Sequence, residues 1–185
     1  MNIWADCKRD ISNLTNLPEA AERLQIINAD LNQPDSFEAA IQGCTGVFHV
    51  AHPMDVKGKE PEEIVTKRAV KGLIGILKAS LKSKTMKRVV YTSTAGAILY
   101  NNKGLSVNDE SIWSDLDLCR SNKLVSTSYL GSKIKAEKTA LEFVERHGLE
   151  VVTLVLPLVV GPFICPNVPP SVNILLNMIL GMRYI

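Results

Sequence analysis

The chain has 185 residues, 46% of them hydrophobic and 22% charged, and carries a formal net charge of +2. That balance suits a globular chain that buries one core, so a single domain over residues 1–185 is expected. The small net charge and the scattered Lys and Arg exclude nucleic acid and an anionic membrane surface as partners.

The start Met1-Asn2-Ile3-Trp4-Ala5-Asp6 has no basic segment leading into a long apolar run, so neither a signal peptide nor a membrane anchor is expected, and a cytoplasmic location follows by default. Leu24-Gln25-Ile26-Ile27-Asn28 predicts a strand. Asn32-Gln33-Pro34-Asp35-Ser36 then opens a helix with Phe37, Ala40 and Ile41 on one side, ended by Gly43. Val47-Phe48-His49-Val50-Ala51 reads as a buried parallel strand stopped by Pro53. Pro61-Glu62-Glu63 starts a helix running to about Lys82, with proline early and carboxylates at the positive end of the dipole. Arg88-Val89-Val90-Tyr91-Thr92 is a further strand, after which Ser93, Thr94, Ala95, Gly96 and Ala97 leave room for a ligand. A long loop with Asp109-Glu110-Ser111 and Trp113-Ser114-Asp115 leads to a helix from about Ser128 to His147, closed by Gly148, and Glu150 to Leu156 predicts the last clear strand. The four cysteines, Cys7, Cys44, Cys119 and Cys165, lack the paired spacing of a zinc or redox centre and read as free thiols, so no metal site is expected.

Strands alternating with helices predict an α/β fold with a doubly wound parallel sheet, whose ligands sit beyond the carboxyl ends of the strands. The segments after Asn28, Val50, Thr92 and Leu156 are therefore the candidate walls of a site.

Tyr129-Leu130-Gly131-Ser132-Lys133 sets a tyrosine and a lysine four residues apart on one helical face, where both heads can meet one ligand. A tyrosine loses its proton near about pH 10, so acid/base work at neutral pH needs an ammonium nearby to stabilise the phenolate. A hydroxyl at the preceding strand end, from Thr94 or Ser93, would polarise a substrate carbonyl. Such a pair alone is common on solvated helix faces. The βαβ series and the strand end Tyr91 to Gly96 make convergence on one crevice the better account, and carbonyl reduction the chemistry that fits it.

These segments resemble the extended short-chain dehydrogenase/reductase superfamily, and within it the plant dihydroflavonol, vestitone, anthocyanidin and cinnamoyl-CoA reductases. The resemblance rests on Asn28 to Leu31, Gly46 to Ala51, Glu60 to Val65, Arg88 to Ser93, Asp109 to Ser111 with Trp113 to Asp115, Tyr129 to Lys133, and Val159 to Phe163. Cys7-Lys8-Arg9-Asp10 and Asn16-Leu17-Pro18 are similar to the vestitone-reductase-like subgroup.

The resemblance implies an NADPH-dependent carbonyl reductase on a Rossmann-like NAD(P)-binding domain, acting on a small flavonoid-like or related phenylpropanoid carbonyl substrate. It makes Thr94 the catalytic hydroxyl, Tyr129 the proton donor and Lys133 its activator, the last two also touching the cofactor. Lys8 and Arg9 take the positions that hold the 2′-phosphate of NADP, for which a solvated basic turn is the plainer account. Asp30 and Leu31 match an adenine-contacting pair, with a helix cap as the plainer account of Asp30. Val50, Ala51 and His52 match a strand end along the cofactor, Pro157, Leu158 and Val159 a nicotinamide wall, and Ser171 a later contact. Thr94 stands where relatives usually carry serine, and His52 where they carry Thr or Ser. Leu99 occupies a position that is polar in the dihydroflavonol reductases, where it contacts the flavonoid ring.

Relatives also begin with a strand and a Gly-x-x-Gly-x-x-Gly turn whose amides hold the pyrophosphate, and this sequence has no such turn. The expectation is thus an incomplete sheet, truncated at both ends and lacking the first βα unit and the C-terminal substrate lobe. Two other functions stay open: a catalytically inactive homologue that associates with an intact relative without binding cofactor, and an epimerase or dehydratase using the same Tyr and Lys. The sequence leaves the oligomeric state open.

Overall fold

A computed structural model describes residues 11–53, 60–104, 107–122 and 127–182. In chain order its elements are short helices α1 (Ser12–Thr15) and α2 (Ala20–Arg23), a 3-10 turn (Pro34–Phe37) running into α3 (Glu38–Ile41), strand β1 (Gly46–His49), helix α4 (Glu62–Lys82), strand β2 (Arg88–Thr92), short helices α5 (Gly96–Leu99) and α6 (Leu116–Ser121), helix α7 (Thr127–His147), strand β3 (Val151–Leu154) and helix α8 (Pro170–Ile179).

The long helices form for reasons already visible in their residues. Pro61 caps α4, Glu62 and Glu63 occupy its first turn and Lys82 its last, so both ends of the dipole are matched. Its buried stripe of Val65, Ala69, Leu73, Ile76 and Leu77 docks it on the sheet. Helix α7 ends at Gly148, whose φ of +68° is the left-handed conformation that glycine adopts freely, and the Gly148 N–H donates to Val144 O at 2.9 Å.

All three strands are parallel, in the order β1-β2-β3. The register sets Val47 beside Val89 and Val89 beside Val151, and these three residues turn to α4 and α7. The core joins Ala69, Leu73 and Leu77 of α4 to Val89 and Tyr91 of β2 and to Ala136, Ala140 and Phe143 of α7. Leu73 and Leu77 are fully buried, each stabilising the fold by roughly 1.5–3 kcal/mol. Both crossover helices thus lie together on one sheet face. On the other face Phe48, in register with Val90, is 77% exposed. Leu31 and Pro34 close the outer side of α4, where a Cβ on Gly75 would come within 2.8 Å of Pro34 Cα.

Four expectations are corrected in detail. The strand read over Val47 to Ala51 as buried runs instead from Gly46 to His49, and Phe48 and Val50 are exposed because no helix among the described residues covers that face. Residues 24–28 form no strand: a ladder needs a neighbour, none lies beside them among the described residues, and Leu24, Ile26 and Ile27 stay more than 40% exposed. The helix expected after Asn32 starts as a 3-10 turn and becomes α-helical only at Glu38. The last strand is shorter than Glu150 to Leu156, because its ladder with β2 covers Val151 to Leu154 alone. Cys44, Cys119 and Cys165 are free, and Cys7 lies outside the described residues. Among the described residues no group of His, Cys, Asp and Glu could hold a metal, and no helix is long and apolar enough to cross a membrane.

Candidate functional site

Where β2 leaves the sheet, the chain passes through Ser93, Thr94 and Ala95 before turning into α5. Ser93 N donates to Leu154 O at 2.7 Å and Ala95 N to Leu156 O at 2.8 Å, so the segment beyond β3 is held alongside. The loop after α5 is tied back by Ser114, whose hydroxyl donates to Gly96 O at 2.7 Å and accepts from Tyr100 N at 2.8 Å. Asp115 caps α6 by accepting from Asp117 N and Leu118 N. Helix α7 delivers Tyr129 and Lys133 over the carboxyl end of β2, where Lys133 Nζ reaches Thr92 O.

A cleft of about 650 Å³ opens there. Val50 and His52 line it from the end of β1, Thr94 from β2, Tyr129 and Lys133 from α7, Pro157, Leu158 and Val159 from beyond β3, and Ser171 from α8. Leu99 and Leu156 also face it. These residues are far apart in the chain and meet only because parallel strands all end on one side.

Thr94 hydrogen-bonds the Tyr129 phenol, which holds the phenol down, but burial is the larger influence and keeps Tyr129 above the usual tyrosine range. The phenol is therefore protonated at neutral pH and equipped to give a proton. Lys133 is 3% exposed, its Nζ donates to Thr92 O at 2.7 Å, and it stands 5.0 Å from the centre of the Tyr91 ring. Burial brings its ammonium down to about 8, against a smaller opposing pull from Glu137. His52 Nε2 and Ser132 Oγ lie 2.9 Å apart, and the His52 ring meets the edge of Tyr129 with centroids 5.3 Å apart. Burial first and the Lys133 charge second push His52 down to about 3, so it is neutral in ordinary buffers.

Three other predicted residues lie away from the cleft. Leu31 is buried against Ile41, Ile76 and Ala79, and Asp30 accepts from Asn32 N at 2.9 Å in a local turn, so neither lines the cleft. Ala51 is exposed and does not line it either. Lys8 and Arg9 lie outside the described residues.

Sequence reasoning held Ser93 in reserve and gave no role to the buried Glu137, His49 and Tyr91. Ser93, the reserve candidate for the catalytic hydroxyl, is 5% exposed and donates to Glu137 Oε2, so it is already engaged. Glu137 continues the four-residue spacing of Tyr129 and Lys133 along α7, a signal that was there to be read. His49 and Tyr91 face each other with ring centroids 5.4 Å apart, and the buried Tyr91 hydroxyl has no hydrogen-bond partner among the described residues. Desolvation, helped by the charge on Glu137, pushes Tyr91 well above the tyrosine range, and burial with the Lys133 charge brings His49 down to about 4.

Against known proteins, residues 5–159 match the model of the 3-beta hydroxysteroid dehydrogenase/isomerase family. Vestitone reductase of Medicago sativa is 55% identical over 176 residues, a match covering 95% of this chain and 54% of that protein. A dihydroflavonol 4-reductase of the same plant is 45% identical over 173 residues, covering 94% of this chain and 80% of that protein. The crystal structure of alfalfa vestitone reductase superposes with a TM-score of 0.81 at 53% identity, covering 92% of this chain and 53% of that one. Yeast methylglyoxal/isovaleraldehyde reductase Gre2, solved in complex with NADPH, gives a TM-score of 0.63 at 28% identity, over 83% of this chain and 50% of that one. The chain spans about half the length of vestitone reductase.

Proposed function

This chain belongs to the 3-beta hydroxysteroid dehydrogenase/isomerase family, in the vestitone and dihydroflavonol reductase branch of the extended short-chain dehydrogenases, and we propose that it is an NADPH-dependent reductase of a small, flavonoid-like carbonyl compound. The observation that carries this reading is the meeting of Thr94, Tyr129 and Lys133 in one cleft at the carboxyl end of the sheet.

The residues present fit the cofactor's reactive end. Pro157, Leu158 and Val159 offer an apolar wall suited to a nicotinamide face, opposite the polar group of Thr94, Tyr129 and Lys133. Lys133 spends one N–H on Thr92 O and keeps two for ribose hydroxyls. NADPH, when bound, supplies the hydride that reduces the carbonyl carbon. Tyr129 gives its proton to the oxygen as charge develops there, and the high affinity of the buried phenol for that proton is offset by the Thr94 hydroxyl, which donates toward the same place. The Lys133 ammonium beneath supports the phenolate left behind. His52 closes the rim as a neutral ring, without adding charge.

The test is substrate-dependent loss of NADPH absorbance with a dihydroflavonol and with an isoflavanone, using purified chain whose folding is checked by circular dichroism. Turnover abolished by Tyr129→Phe supports the reading. NADPH binding without turnover of any carbonyl compound would move it to the epimerase and dehydratase chemistry that shares these residues.

A further inference from the structure

Beneath the cleft, consecutive residues of β2's exit each hold one charged group of α7. The Thr92 carbonyl takes the Lys133 ammonium at 2.7 Å, and the Ser93 hydroxyl donates to the Glu137 carboxylate. Lys133 and Glu137 are each 3% exposed and stand one turn apart on the same helical face. We propose that Glu137 is a positioning residue of this site: it is the buried counter-charge of the Lys133 ammonium and, through Ser93, the latch that presents Thr94 to Tyr129.

A buried carboxylate without a partner is strongly unfavourable, so its presence needs a reason. Its surroundings supply one. From β1 comes His49, neutral at ordinary pH because burial brings it down to about 4; from β2 come Tyr91, a protonated phenol, and Ser93, a donor. From α7 itself come Tyr129 and Lys133, and His52 at the rim is also neutral. Helix α4, packed along α7, buries only apolar side chains and Ser80, whose hydroxyl donates to Ile76 O, and its Glu62 carboxylate, which lies against Gly131 of α7, is paired with Arg120. Lys133 is therefore the one cation among these groups that answers Glu137. The latch also settles which hydroxyl serves the substrate: with Ser93 held by Glu137, Thr94 is left to bond Tyr129.

This inference rests on the roles given above to Tyr129 and Lys133, and its test reads the pair with neither cofactor nor substrate. The chain is labelled with [13C]lysine and [13C]glutamate, and the Lys133 Cε shift is followed from pH 6 to pH 11, its resonance assigned by loss in Lys133→Arg. Glu137→Gln, which keeps an oxygen to accept from Ser93 but removes the charge, should lower the Lys133 midpoint by about one unit or more. Exposed Glu145→Gln should leave it in place. An unchanged midpoint in folded Glu137→Gln overturns the proposal. Should that variant not fold, the wild type decides: Glu137 Cδ must show an inflection at the Lys133 midpoint, as coupled groups do, and its absence overturns the proposal equally. If the coupling is present but no carbonyl compound is reduced, the proposed function fails and this pairing stands.

Discussion

Removing the charge on Lys133 should abolish a specific pH dependence of stability. The ammonium is 3% exposed and lies at about 8 in the fold, against an ordinary 10.5. Between those values the unfolded chain binds more protons than the folded one, so stability rises with pH. The linkage relation then gives a gain of about 1.3 kcal/mol in unfolding free energy from pH 7 to pH 9, taking the folded value of about 8. Burial pushes the Cys119 thiol up from 9.0 and acts in the opposite direction, by at most about 0.4 kcal/mol at pH 9. The assay is urea unfolding followed by far-UV circular dichroism at pH 7, 8 and 9, for wild type and for Lys133→Met. The difference between the two slopes isolates the lysine. A wild type that does not gain relative to Lys133→Met over this window would refute the reasoning, since Lys133 would then titrate as an exposed lysine does.

Four further outcomes follow from the same site and its surroundings. Tyr129→Phe should lower kcat by about 10²–10⁴, the usual share of a positioned proton donor, with a far smaller change in NADPH affinity measured by calorimetry. Thr94→Ala should lower kcat by about 10²–10³ and leave stability nearly unchanged. Ser93→Ala should instead destabilise the fold by about 1–3 kcal/mol in urea titration, because it leaves the buried Glu137 carboxylate without its donor. On the acid side, His49 lies at about 4 against an ordinary 6.5, so the unfolded chain takes up protons first as pH falls. Stability should therefore drop by about 2 kcal/mol between pH 7 and pH 5 through this residue, and His49→Asn should remove that share of the acid-side fall in the same urea assay while the share of His52, which lies at about 3, remains.

Much of the fold could be read from periodicity because α4, α7, β2 and β3 carry their own burial patterns: a four-residue stripe such as Val65, Ala69 and Leu73, and alternation such as Val89 and Tyr91. Residues 24–28 misled because β-branched composition makes a strand only beside a neighbour, and the sequence does not say what lies beside it. The cleft was legible in part for a similar reason. Tyr129 and Lys133 announce themselves by local spacing and Thr94 by its place after a strand. The division of labour between Ser93 and Thr94 depends on Glu137, forty-four positions after Ser93, and no local pattern reveals which hydroxyl a distant carboxylate will hold. His52 is another such case: only the fold shows that Ser132 and the edge of Tyr129 hold its ring at the rim.

The most direct test of the account is a calorimetric titration of the folded chain with NADPH, repeated on Lys133→Ala. The account predicts saturable binding at one site, weakened about tenfold or more by the substitution, the equivalent of about 1.4 kcal/mol. A folded chain that gives no binding heat, or one that binds NADPH equally well without Lys133, would contradict it.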